Sequence, residues 1–535
     1  MASPSTSPVD TTGAMIEMAT PLADWVLVLP VALALMGAAA LLALRQINKA
    51  PLIGALIIVG VIIACEVQLL LDVVANGPAS MTMGKWFPPF GIALTADLFG
   101  ATFALVASIV TFVVLIYAEA DRAEADSKDA FHSQVLLLLA GVTGAFLTGD
   151  LFNLYVWFEV MLIASFGLLV QGSRPLQLDG AIKYGFLNFL ATTLFLLSLG
   201  LTYGSVGTLN MADILLLAPS ANPAAMAGIA ALLLLAFGMK AAAFPVNAWL
   251  PASYHTPAPA VSALFAGLLT KIGVYALIRS LVAVLPGSRE LLEPVIAALV
   301  IGTLLVAPLG AIAETNLRRA IGFFVIGGIG AAMVGLAIPS ETGLAGSGLY
   351  IVHAILTMTA LYMVVGVIEK VTGQTNTRKM GGLYAKHAPL SVLFLVLVLA
   401  AAGVPPFLGF WPKLLLLEAS FADGVAGEGS WVGNWLLWSL LINAVLTLIA
   451  GTRLWAHVFW RNGPEGETSE HVSSTVLPLG KRGQIGLGAV GGLTVAIILL
   501  GLWPGPLMAN IKQGAADIVD PSRYIAATNL AEDGK

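Results

Sequence analysis

The sequence predicts an all-α polytopic membrane protein. Of its 535 residues, 58% are hydrophobic and 10% charged, where soluble domains carry about 25% charged residues. The mean hydropathy is +0.93. Apolar runs of spanning length recur along the chain, divided by charged or Pro/Gly-rich breaks. The net charge of −5 is carried mainly by the intervening loops. Lysine and arginine are scattered without a basic aromatic motif, so no nucleic-acid partner is expected. Cys65 is the single cysteine and no histidine pair has ligand spacing, so no disulfide, metal or other cofactor is expected.

Residues 1–21 are rich in Ser, Thr and Pro and read as a flexible segment. The run at 22–44 is long enough to span and lacks the basic start and short apolar core of a cleavable signal, so it reads as a retained first helix. Spans at 52–74 and 93–117 complete an N-terminal group of three (22–117). Five more follow at 131–149, 151–171, 182–203, 226–247 and 259–281, then five at 293–313, 319–338, 347–369, 388–416 and 434–459. A last span at 485–505 precedes a polar tail, 506–535. The expected total is fourteen. Gly149-Asp150 is the only break in a run too long for one span, and Asp150 is placed to cap the fifth helix.

With an outside N-terminus, the inner loops hold fifteen of the 25 lysines and arginines and the outer loops six, Arg279 and Arg289 among the six. This asymmetry puts both termini outside. The seventh span reads GMKAAAFPVNAWLP and the twelfth AAGVPPFLGFWPK. Proline removes a backbone donor and clashes with the preceding turn, and such breaks persist in lipid where they are buried in protein or line a wet cavity. Breaks five spans apart suggest two five-helix repeats, spans four to eight (131–281) and nine to thirteen (293–459), the second inverted across the membrane because five is odd.

Ionisable residues inside these spans are the candidate functional groups, since a charge at mid-bilayer costs about 2.5–3.5 kcal/mol even on the insertion scale. Glu159 lies eight residues into the fifth span, about 12 Å deep, and reads as a proton-binding carboxylate or the counter-ion of Lys240. Lys240 stands five residues before Pro245. Lys271 is central in the eighth span, too deep to snorkel, and reads as the middle of a relay. Lys413 follows the second break. His255 and His353 suit proton transfer because imidazole titrates near neutral pH. Glu66, Asp72 and Asp97 read as a solvated outer rim, and Glu314, Glu369 and Glu418 as helix-end groups in water.

The strings LYVWFEVMLIASF, GMKAAAFPVNAWLPASYHTPAPAVSALFAGLLTKIGVYAL and AAGVPPFLGFWPK resemble the antiporter-like subunits of bacterial multisubunit cation/proton antiporters and of respiratory complex I. The likeness covers about residues 90–460 and is greatest to the D-type subunits of Mrp-type sodium/proton antiporters. It implies a proton-translocating role for Glu159, Lys240, Lys271, His353 and Lys413, and no catalytic residue, because the family works by secondary transport. It also implies inverted repeats with half-channels meeting at a hydrated axis. The partners implied are a large A-type subunit and small subunits, protons, Na+ or another monovalent cation, and lipid, in a bacterial inner membrane. The alternative is an M- or N-type pumping subunit of NADH-quinone oxidoreductase or of a membrane-bound hydrogenase. A lysine at the twelfth-span position departs from the M type, and the short tail departs from the L and A types. One position departs from the family: Met358 stands where relatives often carry a lysine, which makes His353, Thr357, Thr359 and water the candidate central relay, with His255 a separate candidate in the link between the seventh and eighth spans.

Overall fold

Several helices start where a side chain can take up the free N–H groups of the first turn. Asp150 accepts from the Asn153 amide at 2.8 Å, as its position predicts. Asn210, Asn222, Asn316, Ser340 and Ser430 cap five further helices in the same way. The computed structural model describes residues 22–47, 49–87, 90–121, 130–425, 430–461 and 477–528. The expected flexible segment 1–21 lies outside the described residues.

The helices are α1 (Leu29–Leu44), α2 (Ala50–Asn76), α3 (Leu98–Asp121), α4 (Phe131–Leu147), α5 (Leu151–Leu169), α6 (Pro175–Val206), α7 (Met211–Leu217), α8 (Pro223–Ala241), α9 (Trp249–Tyr254), α10 (Pro259–Val284), α11 (Pro286–Ala313), α12 (Leu317–Ala337), α13 (Glu341–Thr372), α14 (Ala388–Ala402), α15 (Phe410–Val425), α16 (Trp431–Trp460), α17 (Lys481–Leu502), α18 (Gly505–Val519) and α19 (Ser522–Ala527). Among the described residues, eleven are long and apolar enough to cross a membrane, and α1, α4 and α14 are shorter apolar helices. The seventh and twelfth expected spans are both split, into α8 with α9 and α14 with α15.

α13 is buried throughout its apolar length, and α10 and α12 nearly so; α2, α16 and α17 bury one side. An all-round apolar helix belongs in the interior, where no face has to meet lipid or water. α13 is therefore the axis, with α3, α10, α12, α14, α15, α17 and α18 packed around it.

Two connections share one hydrogen-bond scheme. Leu151 N–H donates to Leu209 and Met211 N–H to Gly149; Leu317 N–H donates to Thr375 and Thr377 N–H to Thr315. Every partner is offset by 166 positions, from Leu151 to Leu317 and from Asn210 to Asn376. Asp150 and Asn316 cap the helices that start there.

The structure corrects several expectations. Residues 93–96 form strand β2, paired antiparallel with β1 (Ala79–Thr82), so the third helix begins at Leu98. The expected polar tail contains α18, whose Ile511, Ala515 and Ile518 are buried. That face packs on α3 and α13. Its apolar residues recur at helical spacing, but the segment is too polar to register as a span. Arg279 and Arg289, assigned to an outer loop, are buried, because α10 and α11 leave Leu285 alone between them. Glu66 and Asp97, expected at a solvated rim, are buried as well, Glu66 on the inward face of α2 and Asp97 just before α3, where it accepts from the Gly100 amide at 2.8 Å. Asp72 is half-buried and accepts from Gln68. Glu369 pairs with Arg318 instead of meeting water, and Glu314 pairs with Arg319 at 3.1 Å, while Glu418 is exposed.

Candidate functional site

The two broken helices offer what an intact helix cannot, backbone carbonyls without an intrahelical donor. α14 ends at Gly403, whose φ of +87° lies in the left-handed region that favours glycine. The Lys413 ammonium turns back across this break and donates to the carbonyls of Ala402 (2.7 Å) and Ala401 (3.2 Å). α8 ends the same way at Ala242, in the left-handed region at φ +61°. Lys240 is two residues earlier. The Trp249 indole takes the carbonyl of Met239, and the Lys240 ammonium stands 4.6 Å from the centre of the Phe158 ring, a cation–π contact.

Lys271 uses a different device. Residues Phe265–Leu269 of α10 form a wide π-type turn, and such a turn disturbs the regular carbonyl ladder. Lys271 donates to the carbonyl of Ala266 within that turn. Two residues on, Gly273 lies so close to α8 that a Cβ there would be 2.8 Å from the Ala241 amide. The central lysine is thereby fixed against the first break. All three lysines are buried, and none forms an ion pair among the described residues.

His353 bridges the two halves. It sits well inside α13 and not near its start, as the expected span 347–369 would have it, because the helix begins at Glu341. Its Nδ1 is 3.1 Å from the Thr357 hydroxyl and its Nε2 has no hydrogen-bond partner. That ring edge faces the second break: a Cβ on Gly409 would lie 2.9 Å from Nε2. Lys271 and Lys413 are both within electrostatic reach of the ring. Thr359, the other candidate relay hydroxyl, donates to the carbonyls of Ile355 (2.7 Å) and Ala263 (3.3 Å), joining α13 to α10. Met358 is buried and reaches toward Gly328 of α12.

His255 stands apart, and Glu159 is within electrostatic reach of Lys240 without bonding to it. Glu159 is half-exposed on α5 and forms no ion pair with Lys240; the neighbouring Phe158 ring takes the ammonium instead. His255 lies outside the spanning helices, with Nδ1 2.8 Å from the Pro251 carbonyl, and burial pushes its pKa below the ordinary imidazole value. A narrow cleft opens beside Lys240, lined among others by Phe158, Tyr184, Asn188, Trp249 and Leu269. The arrangement brings together Lys271, His353 and Lys413, with Lys240 reached through the α8–α10 contact.

Residues 148–442 match the model of the NADH:quinone oxidoreductase/Mrp antiporter transmembrane family. The chain belongs to this antiporter family. It is 35% identical to the D-type Na(+)/H(+) antiporter protein of Alkalihalophilus pseudofirmus, over 88% of this chain and 92% of that one. It is 33% identical to the D-type protein of Bacillus subtilis, over 86% and 90%. Its fold superposes on a chain of the Mrp complex from Dietzia sp. with a TM-score of 0.85 at 28% identity, covering 95% of this chain and 100% of that one. A chain of respiratory complex I from Thermus thermophilus shares the fold, with a TM-score of 0.78 over 93% of this chain.

As a member of the antiporter family, the chain carries further buried charge that sequence reasoning missed. Arg279 of α10 pairs with Asp97, donates to the Tyr275 hydroxyl at 3.2 Å and lies over the Tyr524 ring at 5.0 Å. Tyr275 in turn donates to the Phe146 carbonyl at 3.0 Å. Lys271, Tyr275 and Arg279 thus follow one face of α10 at four-residue spacing. The available signal was Arg279 inside the apolar run YALIRSLVAV, discounted because a span end was placed at 281.

Proposed function

We propose that this chain is the D-type, proton-translocating member of a multisubunit cation/proton antiporter in a bacterial inner membrane. Protons move along Glu159, Lys240, Lys271, His353 and Lys413, with water completing the line. The observation that carries this reading is the placement of three buried, unpaired lysines on carbonyls or rings at helix irregularities. Charges in a poorly screened interior interact strongly, so charging one such group raises the cost of charging the next. Such coupled titrations belong to the set and not to single residues. The gradient of protons drives Na+ or another monovalent cation the opposite way. The neighbouring subunits of the assembly complete the cation path.

The fourteen-span reading and the inverted repeats at 131–281 and 293–459 belong to the same proposal, beside the N-terminal group 22–117 and the last span 485–505. The matching hydrogen-bond schemes at Asp150/Asn210 and Asn316/Asn376 support it, as do the two broken helices. In this reading five crossings between the two schemes set them on opposite faces, and the lysine and arginine bias of the loops sets both termini outside.

Antiport in vesicles carrying the intact assembly tests the route. Lys271→Ala abolishes exchange while the complex still assembles; wild-type exchange in that variant removes Lys271 from the route. A second reading, membership of a redox-driven complex, is favoured by the 27% identity and TM-score of 0.84 to a chain of the archaeal membrane-bound sulfane sulfur reductase. Exchange that requires an electron donor would decide for it.

A further inference from the structure

The line of lysines leaves one buried carboxyl unused. Glu66 lies on α2 about 24 Å from Ala50 and about 15 Å from Asn76 at the usual helical rise, and it is fully buried. One carboxyl oxygen accepts from the Thr143 hydroxyl of α4 at 3.3 Å. The other has no hydrogen-bond partner, and neither has the Ser108 hydroxyl of α3 that stands beside the carboxyl. No cation is paired with it among the described residues. Among the described residues no other charge stands beside it: α1 carries no titratable side chain, α3 and α4 present Ser108 and Thr143 while their Glu119, Asp121 and His132 lie toward the far helix ends, Asp72 lies further along α2, and Asp24 in the turn before α1 is exposed. Cys65, the adjacent residue, is half-buried.

An ionised carboxyl in such a place is strongly disfavoured unless a cation joins it, so the group holds either a proton or a metal ion. The helices decide between them. α2, α3 and α4 are unbroken around the site, so their carbonyls are spent on their own ladders. That leaves the carboxyl and two hydroxyls, too few oxygens to replace the water shell of Na+. A proton needs one acceptor, and the unfilled hydrogen-bonding capacity of Glu66 and Ser108 provides it.

We propose that Glu66, with Ser108 and Thr143, is a second proton-binding site, set in the N-terminal helices and separate from the lysine line. The carboxylate takes up one proton and the neutral acid later returns it, with the two hydroxyls accepting from or donating to whichever form is present. The existence of the site is independent of the lysine route; its part in transport rests on the antiporter reading.

The test uses the intact complex in membranes and dicyclohexylcarbodiimide, which attacks protonated carboxyls in apolar surroundings. Mass spectrometry of the peptide containing Glu66 is expected to show modification that declines as pH rises and is unaffected by Na+. Absence of modification at any pH overturns the proposal, and protection by Na+ overturns it in favour of a metal ion. Glu66→Gln, which mimics the loaded acid permanently, is expected to lower exchange severalfold with normal assembly, and Glu66→Asp to recover part of it. Unchanged exchange in Glu66→Gln marks the residue as a structural acid and sinks the proposal. If Lys271→Ala still exchanges ions while Glu66 labels as expected, the lysine route fails and the second site stands.

Discussion

The Lys413 ammonium donates to the Ala402 carbonyl at 2.7 Å across the gap between α14 and α15. A lysine held on a neutral carbonyl is poised differently from one held on a carboxylate. Its charge is solvated by the dipole of a helix C-terminus, which favours a cation, yet no counter-charge locks the proton in place.

Arginine at position 240 separates charge from proton transfer. Lys240→Arg keeps a cation over Phe158 but hardly deprotonates. Exchange in this variant is expected to lie between wild type and Lys240→Ala. Proton-gradient collapse in everted vesicles on adding Na+ measures it, and full activity would show that the charge alone matters.

Gly409 is required by the approach of the second break to α13. A Cβ there would meet His353 and the Ala400 carbonyl. Gly409→Ala is expected to destabilise the complex by about 1–3 kcal/mol, as overpacking does, and to lower exchange by displacing the imidazole. Thermal unfolding in detergent and the vesicle assay check the two effects.

Among the described residues Thr357 is the side-chain hydrogen-bond partner of His353, whose ring also meets Tyr350 edge-on. Thr357→Ala leaves Nδ1 without it, a loss of about 1–3 kcal/mol for a buried polar group. Slower exchange is expected, with Thr357→Ser close to wild type. Thr359→Val serves as the comparison, because that hydroxyl bonds carbonyls and not the ring.

Asp97 and Arg279 form a buried pair. Removing the carboxylate alone with Asp97→Asn leaves the guanidinium buried and uncompensated, at a cost of about 3–5 kcal/mol. The double variant Asp97→Leu/Arg279→Met removes both charges and is expected to recover most of the loss. Melting temperatures of the purified complexes give the comparison; equal destabilisation by both variants would show that packing, not the charge, is at issue.

Membrane class and broken helices were legible in the residues because lipid imposes a simple rule: long apolar runs span, and proline interrupts them. Lys240, Lys271 and Lys413 stood out for the same reason, as charges with apolar flanks on both sides. The rim reading of Glu66 and Asp97 failed because depth along a helix says nothing about which face turns inward. Arg279 was lost through a boundary error of a few residues. α18 was lost because its apolar stripe is too narrow for a hydropathy average to notice.

The sequence by itself determined that this chain lives in a bilayer, where its helices break, and that Lys240, Lys271 and Lys413 lie deep, since each depends on local composition and on covalent constraints of proline. Tertiary structure alone decided that Lys240 rests on an aromatic ring instead of on Glu159, that His353 looks into the second break, and that Asp97 meets Arg279 across 182 positions. Those contacts depend on how helices rotate and close upon one another. That is set by the packing of the whole bundle, with close approaches at Gly273 and Gly409, and no local pattern encodes it.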